Sequence, residues 1–449
     1  MDTSIEWMRG RTHLQLEGTN MNSRLAKNLM TQGCIILWIC IACCGSILLI
    51  AGCTGNSADS APKVQSSINV ALFPYVPDQN EFEIAIQDAW SALYPDVSIN
   101  WITPETDAQW EGGYNGYVPA DADVFVYDAT VMTDLYNAGS ILSLDASQIP
   151  DQSDFYSFSL EGLMLPNGRY AGIPQLLCTN LLYYWQGDTL ANDVNLTDIW
   201  ITIGNHLEDP SPLPDGEGLY MSLSGGTTDA ILYLQVQTQL DGPYTPAPTL
   251  PESEAAFDQN AFAWLEVLTV MGGVEQVTDK TINRYAEFAS GSGRAAVGYA
   301  ENSSLFPVND VPKIDFHTMP FVDSPTYTFF YVDAAAVNAN IVASRQPLAI
   351  EMAQLISSSS VMAQASLPPI AGDNPQYLLL SRPSAMATLA ESYPRYSAYD
   401  QVIRISSPVV FHGGPGFVDW ADKFKDFIRS TITTPPTIVP DEIQLKEAG

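Results

Sequence analysis

Between Ser67 and Asp128 the chain alternates strand and helix so tightly that few folds can hold it. Ser67 to Pro74 (SINVALFP) reads as a short apolar strand. Asn80 to Tyr94 carries apolar residues at helical spacing, Val97 to Ile102 is a second strand, and Asp123 to Asp128 (DVFVYD) is a third, buried one. A right-handed crossover through the helix brings the second strand back parallel to the first. The expectation is therefore an α/β fold on a parallel sheet, with its ligand cleft at the C-terminal ends of the strands. Asp128 closes the third strand at that edge and faces the cleft; Asp123, at the other end, is expected in solvent. A helix over Val131 to Ala138 follows.

Further along, Gly168 to Pro174 leads into Leu176-Leu177 and, past Cys178, into the aromatic strand Leu181 to Trp185. A Gly-Ile-Pro approach followed by an aromatic strand resembles the first lobe crossover of type II periplasmic solute-binding proteins, which implies two lobes with a ligand cleft between them. A second crossover is placed at Phe329 to Asp333, after Ala295 to Tyr299 and before Ala334 to Val337, with a helix over Leu348 to Ser357. Lobe 1 then comprises 68–175 and 333–375, and lobe 2 comprises 176–332 and 376–449. Roughly 380 residues are enough for two such cores. The Pro- and Gly-rich stretches 210–218 and 240–251 read as surface loops of the second lobe, and 374–377 and 412–416 as turns.

The first 53 residues read as a leader. No charge appears from Gly33 to Gly52, and Arg24 and Lys27 precede that run, the order of an export signal. The run closes in Ile50-Ala51-Gly52-Cys53, which resembles a bacterial lipobox and implies lipidation of Cys53. Residues 54–67 form a polar tether, and the acidic groups ahead of the basic stretch point to Met21 or Met30 as the translational start. The expectation is an exported bacterial lipoprotein on the periplasmic side of an outer membrane or on the cell surface, present as a monomer. A formal net charge of −33 makes nucleic acid and anionic membrane surfaces poor partners and suits a cationic small molecule.

Five of the six cysteines, Cys34, Cys40, Cys43, Cys44 and Cys53, belong to the leader, so Cys178 is the one thiol of the body. No disulfide can form within the folded part, and an exported lone thiol asks for a reason. An isolated cysteine commonly packs as a small hydrophobe. On the first crossover, however, Cys178 lies at the floor of the cleft, where a thiol with an adjacent base becomes a nucleophile. His206, His317 and His412 belong to no cysteine-protease signature. Glu301, after Gly298-Tyr299 and just before the second crossover, is the better base, because a carboxylate in an enclosed aromatic pocket has its pKa raised toward neutrality.

Several runs, taken in order, resemble the thiaminase I (thiamine pyridinylase) family. They are Pro74 to Asp78 (PYVPD), Asp123 to Asp128, Pro174 to Asn180 (PQLLCTN), Ser224 to Thr228 (SGGTT), Gly291 to Arg294 (GSGR) with Gly298 to Glu301 (GYAE), and Tyr331-Val332-Asp333. The resemblance reaches Pro375 to Leu379 and Val418-Asp419-Trp420, nearly the whole chain after the tether. It implies a base exchange on thiamine without metal or organic cofactor. Cys178 adds to C6 of the aminopyrimidine while Glu301 takes its proton, the thiazole leaves, and an amine, pyridine or thiol cosubstrate replaces it. Asp333 and Asp128 are implied partners of the substrate. Tyr75, Tyr299 and Tyr331 can stack on its rings or attract its cation.

A lipid anchor departs from secreted members of that family and suggests an alternative, a thiamine- or pyrimidine-binding lipoprotein of an ABC importer. Binding alone would need the aromatic and acidic residues but no nucleophile, so the pairing of Cys178 with Glu301 favours the enzyme. A sugar-binding or glycoside-cleaving protein has only the abundance of Asp and Tyr behind it.

Overall fold

The computed structural model describes residues 67–102 and 119–434, apart from positions 224, 243, 246–247 and 280–281. The expected leader, Cys53 and the tether up to residue 66 lie outside the described residues. No described helix is long and apolar enough to cross a membrane.

Eleven strands are present among the described residues. They are β1 (Ser67–Ala71), β2 (Ser98–Trp101), β3 (Val124–Asp128), β4 (Ile173–Cys178), β5 (Leu181–Trp185), β6 (Asp215–Tyr220), β7 (Gly293–Gly298), β8 (Ile314–Thr318), β9 (Thr328–Val337), β10 (Leu379–Leu380) and β11 (Pro408–Val410). One sheet runs β10-β4-β9-β3-β1-β2 with β11 beside β9, and a smaller one runs β6-β7-β5-β8. Among the longer helices are α1 (Gln79–Leu93), α2 (Gly226–Leu240), α3 (Gln346–Ile356), α4 (Arg395–Ile405) and α5 (Phe417–Ile432).

The opening unit forms as its pattern dictates. The Asp78 carboxylate caps α1 by accepting from the Asn80 and Glu81 amides at 3.1 and 3.4 Å. Phe82, Ala85, Ile86 and Trp90 recur at helical spacing and are buried. Trp90 is fully enclosed, worth about 2–3 kcal/mol of apolar burial, and its indole N–H is satisfied by the Val97 carbonyl at 2.9 Å. Strand β1 then pairs in parallel with β2 and β3.

The sheet is nevertheless mixed, because β9 lies antiparallel to both β3 and β4. It brings the chain back from the smaller sheet and so enters reversed. The lobe borders shift accordingly. Strand β4 stays in the larger sheet through Cys178, which faces Tyr331, so the outward passage is Thr179-Asn180 rather than the 175/176 border. The return passage lies between β8 and β9. Residues 329–333, expected as the second crossover, are inside the ten-residue strand β9. Both β10 and β11 also join the larger sheet, although 376–449 were assigned to the second lobe. A continuous apolar run with partners on both sides carries no periodic mark of where one lobe ends.

Two further expectations change. Part of the 210–218 loop is strand β6, parallel to β7; Gly216 and Gly218 take φ of 71° and 81° there, and the ladder is irregular at that point. Asp123 is buried instead of solvated. It accepts from the Asn69 amide at 2.8 Å and is clasped by the Arg345 guanidinium ahead of α3, with Nε at 2.6 Å. Strand β3 is interior, between β1 and β9, so even the residue just ahead of it needs an internal partner.

Candidate active site

Register brings the acidic and sulfur groups together. Residues opposite one another on neighbouring strands share a face, as do alternate residues of one strand. Cys178 faces Tyr331, Asp333 faces both Leu176 and Asp128, and Tyr331 lies two residues before Asp333. Cys178, Tyr331, Asp333 and Asp128 therefore line one face of the larger sheet. The placement of the thiol depends on a bulge between Pro174 and Leu176. Were the ladder to run on through Gln175 without that bulge, Leu177 would occupy the position opposite Tyr331 and the thiol would turn to the other face.

Glu301 arrives from the smaller sheet. Strand β7 ends at Gly298, which pairs with Leu181 of β5, three residues beyond Cys178. The chain then turns at once into a short 3-10 helix, Ala300–Leu305. Gly298 is needed for that turn, because a Cβ there would collide with the Tyr285 hydroxyl and with Asn302 Oδ1. Asn302 Oδ1 in turn accepts from the Tyr299 amide at 2.6 Å. The result places Cys178 Sγ 3.7 and 3.8 Å from the two carboxylate oxygens of Glu301.

The electrostatics follow from enclosure. Burial pushes the Glu301 carboxyl up to about 7, against weaker opposition from hydrogen bonds to its own amide and to Cys178. Burial also pushes the Cys178 thiol well above its ordinary range, and the charges of Glu301, Asp333 and Asp128 push it further. Asp333 is raised well above the usual carboxyl range by burial, then by Asp128 and Glu301. At rest the site therefore holds a thiol kept neutral beside a carboxyl poised near neutrality, with Asp333 biased toward its protonated form. Such an arrangement can move the thiol proton to Glu301 as sulfur attacks an electrophile, and can donate from Asp333 to an atom that gains electron density.

The aromatic residues fall into two groups. Tyr299 meets Tyr331 edge-on, with ring centroids 6.2 Å apart at 89°, so both lie beside the thiol. Tyr75 is half-buried in the loop after β1, at the strand edge where Asp128 also ends, and packs edge-on against Phe73 at 5.2 Å. The histidines among the described residues are engaged elsewhere: His206 with Asp209 and the Ile203 carbonyl, His317 with the Thr318 and Leu190 carbonyls, and His412 with the Ala129 carbonyl.

Two contributors escaped the sequence reading. Gln235 of α2 donates from Nε2 to the Tyr331 hydroxyl at 2.8 Å; the signal was a single amide within the apolar run Ala230 to Val236. Thr179 donates its hydroxyl to the Phe329 carbonyl at 2.8 Å, which ties the outward passage to the start of β9.

Comparison with known proteins places this geometry. A family model described as the thiaminase-1 domain matches residues 179–322. The chain is 31% identical over 393 residues to a protein named thiaminase-1 from Paenibacillus thiaminolyticus, covering 86% of this chain and 93% of that protein. The structure of Clostridium botulinum thiaminase I in complex with thiamin superposes with a TM-score of 0.76 at 29% identity, over 82% of this chain and all of that one. A maltodextrin-binding protein from L. casei BL23, solved without ligand, shares the fold with a TM-score of 0.54 at 16% identity, over 83% of this chain and all of that one. The two-lobed solute-binding architecture expected from the crossovers is thus the architecture present.

Proposed function

Since the chain belongs to the thiaminase-1 family, we propose that it is a thiamine pyridinylase working through Cys178 and Glu301. The observation that carries this reading is the thiol 3.7 Å from a buried carboxyl held near neutrality. In the proposed reaction the Cys178 proton passes to Glu301 as sulfur bonds to C6 of the aminopyrimidine. The electron density that enters the ring is met by the proton on Asp333. The bond from the methylene to the thiazolium then breaks, and the thiazole leaves with that electron pair as a neutral molecule. An amine, pyridine or thiol adds to the methylene, an amine or thiol giving up its own proton to solvent; as sulfur is expelled the ring returns its proton to Asp333, and Cys178 recovers its proton from Glu301. The carboxylates of Asp128 and Glu301 favour the cationic substrate, and Tyr75, Tyr299 and Tyr331 supply the aromatic walls.

Thiamine incubated with the protein should disappear faster when pyridine or aniline is added, with release of free thiazole and formation of the pyrimidinylmethyl adduct of the added base. Tight binding of thiamine with no consumption under either condition would establish the importer reading instead.

Asp333 provides a narrower check. Asp333→Asn keeps the shape but cannot hold the acid proton, so kcat/KM for thiamine should fall by the equivalent of ~1–3 kcal/mol, typical of a buried hydrogen-bonding group left without its partner. The thermal midpoint should change little. An unaltered kcat/KM would remove Asp333 from the site.

We further propose export and lipid anchoring at Cys53, on the basis of the Ile50-Ala51-Gly52-Cys53 ending. The wild-type protein is expected in the membrane fraction carrying diacylglycerol on Cys53, and Cys53→Ala should release it or stall its processing. Recovery of unmodified wild type from the soluble fraction would rule the anchor out.

A further inference from the structure

The turn that carries Glu301 is held from behind by a cluster of hydroxyls that never reaches the thiol. Tyr183 of β5 donates its hydroxyl to the Tyr299 carbonyl at 2.6 Å, and Tyr399 of α4 donates to the Ala300 carbonyl at 3.1 Å. These are the two carbonyls immediately before Glu301. Ser303, one helical turn further on, lies 2.7 Å from the Tyr399 hydroxyl and 3.4 Å from that of Tyr183. Arg395 donates Nε to the Tyr399 oxygen at 3.0 Å, while its Nη1 reaches the Val311 and Ile314 carbonyls at 2.9 and 2.7 Å.

Each hydroxyl carries one hydrogen and accepts up to two. With the hydrogens of Tyr183 and Tyr399 directed to the two carbonyls, Ser303 spends its hydrogen on Tyr399 at 2.7 Å and its 3.4 Å approach to Tyr183 carries none. The Tyr399 oxygen then accepts from Ser303 and Arg395 together. The Tyr183, Ser303 and Tyr399 side chains belong to buried residues, so no proton can be exchanged for solvent without opening the packing. The Arg395 guanidinium is seated 4.6 Å over the Phe316 ring. Its charge is thereby held at the far end of the chain of hydrogen bonds rather than against a carboxylate.

We infer that Arg395, Tyr399, Ser303 and Tyr183 are positioning residues that hold Glu301 against Cys178. The inference rests on the proposed role of Glu301, and it adds four residues that act on the reaction without touching substrate. Loss of the Tyr399 hydroxyl removes its hydrogen bond to the Ala300 carbonyl and leaves the Arg395 Nε without its acceptor, so the turn relaxes, water enters and the carboxylate draws away from sulfur.

Tyr399→Phe and Ser303→Ala test this in the full chain with two readouts. For thiamine turnover, kcat should fall at least ~10-fold with KM held within about threefold, because displacement of a reacting group costs rate more than binding. Independently of thiamine, the pH midpoint for alkylation of Cys178 by iodoacetamide, followed by peptide mass spectrometry, should move down by about 0.5 pH unit or more as the neighbouring negative charge recedes. Glu301→Gln sets the limit of that movement. Parent-like kcat and parent-like alkylation midpoints in both variants, with only thermal midpoints lowered, would overturn the inference. Should Tyr399→Phe fail to fold, Ser303→Ala decides alone by the same two measures. A parent protein that does not consume thiamine would count against the proposed function, and the alkylation midpoints would still decide the positioning role.

Discussion

Cys178→Ser is expected to abolish base exchange while leaving thiamine bound. Serine is nearly isosteric with cysteine, and Cys178 sits in a ladder position opposite Tyr331 whose backbone does not depend on sulfur. Its hydroxyl, however, ionises far less readily than a thiol, and a carboxyl near 7 is too weak a base to draw that proton efficiently. Turnover should therefore drop by ~10⁴-fold or more, the scale on which covalent catalysis is lost when its nucleophile is removed. Equilibrium dialysis should find the thiamine Kd within about threefold of wild type, since the ring contacts and the acidic face remain. Wild type exposed to a thiamine analogue with a poor leaving group should carry that pyrimidine on Cys178. A fully active serine variant would show that the thiol is packing.

The neutral resting thiol bears on how the one cysteine among the described residues persists. Oxidation and disulfide exchange proceed through the thiolate. Burial and three surrounding carboxyl groups disfavour that ion until a substrate is in place. The same arrangement that makes the nucleophile dependent on Glu301 thus makes it slow toward other electrophiles.

How far this site could be read from residues alone depended on distance along the chain. Cys178 was legible because it ends a short strand beside the turn signal Thr179-Asn180, and Glu301 because it follows a strand end marked by Gly298-Tyr299. Asp128 and Asp333 were legible as strand residues, and their pairing follows once β3 and β9 are adjacent. The bulge at Gln175 was not, because one inserted residue in a run of apolar side chains leaves the pattern apolar. Neither was β9 as a single strand, since alternation vanishes when both faces are buried. Asp123 was misjudged for the same reason: its partner Arg345 lies 222 residues away. The hydroxyl cluster behind Glu301 was invisible too, because Tyr399 meets Ala300 across 99 residues through contacts that only the packing of α4 creates.

Glu301→Gln should produce two opposite effects in one protein. Catalysis requires the carboxylate, so wild-type kcat/KM is expected to climb with pH and level off above about 7, the range to which burial raises this group. The variant should be down ~10²-fold or more at the plateau, with that rising limb gone, because the amide accepts no proton. Stability should move the other way. The folded protein binds the Glu301 proton up to about 7 and the unfolded chain releases it near 4.5, so between those values folding takes up a proton and stability falls as pH rises. Below 4.5 the cost is absent; above 7 it is fully present, on the order of 3 kcal/mol for a carboxylate enclosed this completely. Glutamine carries no charge to desolvate, so Glu301→Gln should melt higher than wild type at pH 8 and within error of it at pH 4. Thermal midpoints at the two pH values, beside the kcat/KM profile, check both halves. Equal melting at pH 8 would mean that the carboxylate is already solvated and cannot be the near-neutral base, whereas a variant retaining the rising limb would assign that limb to another group.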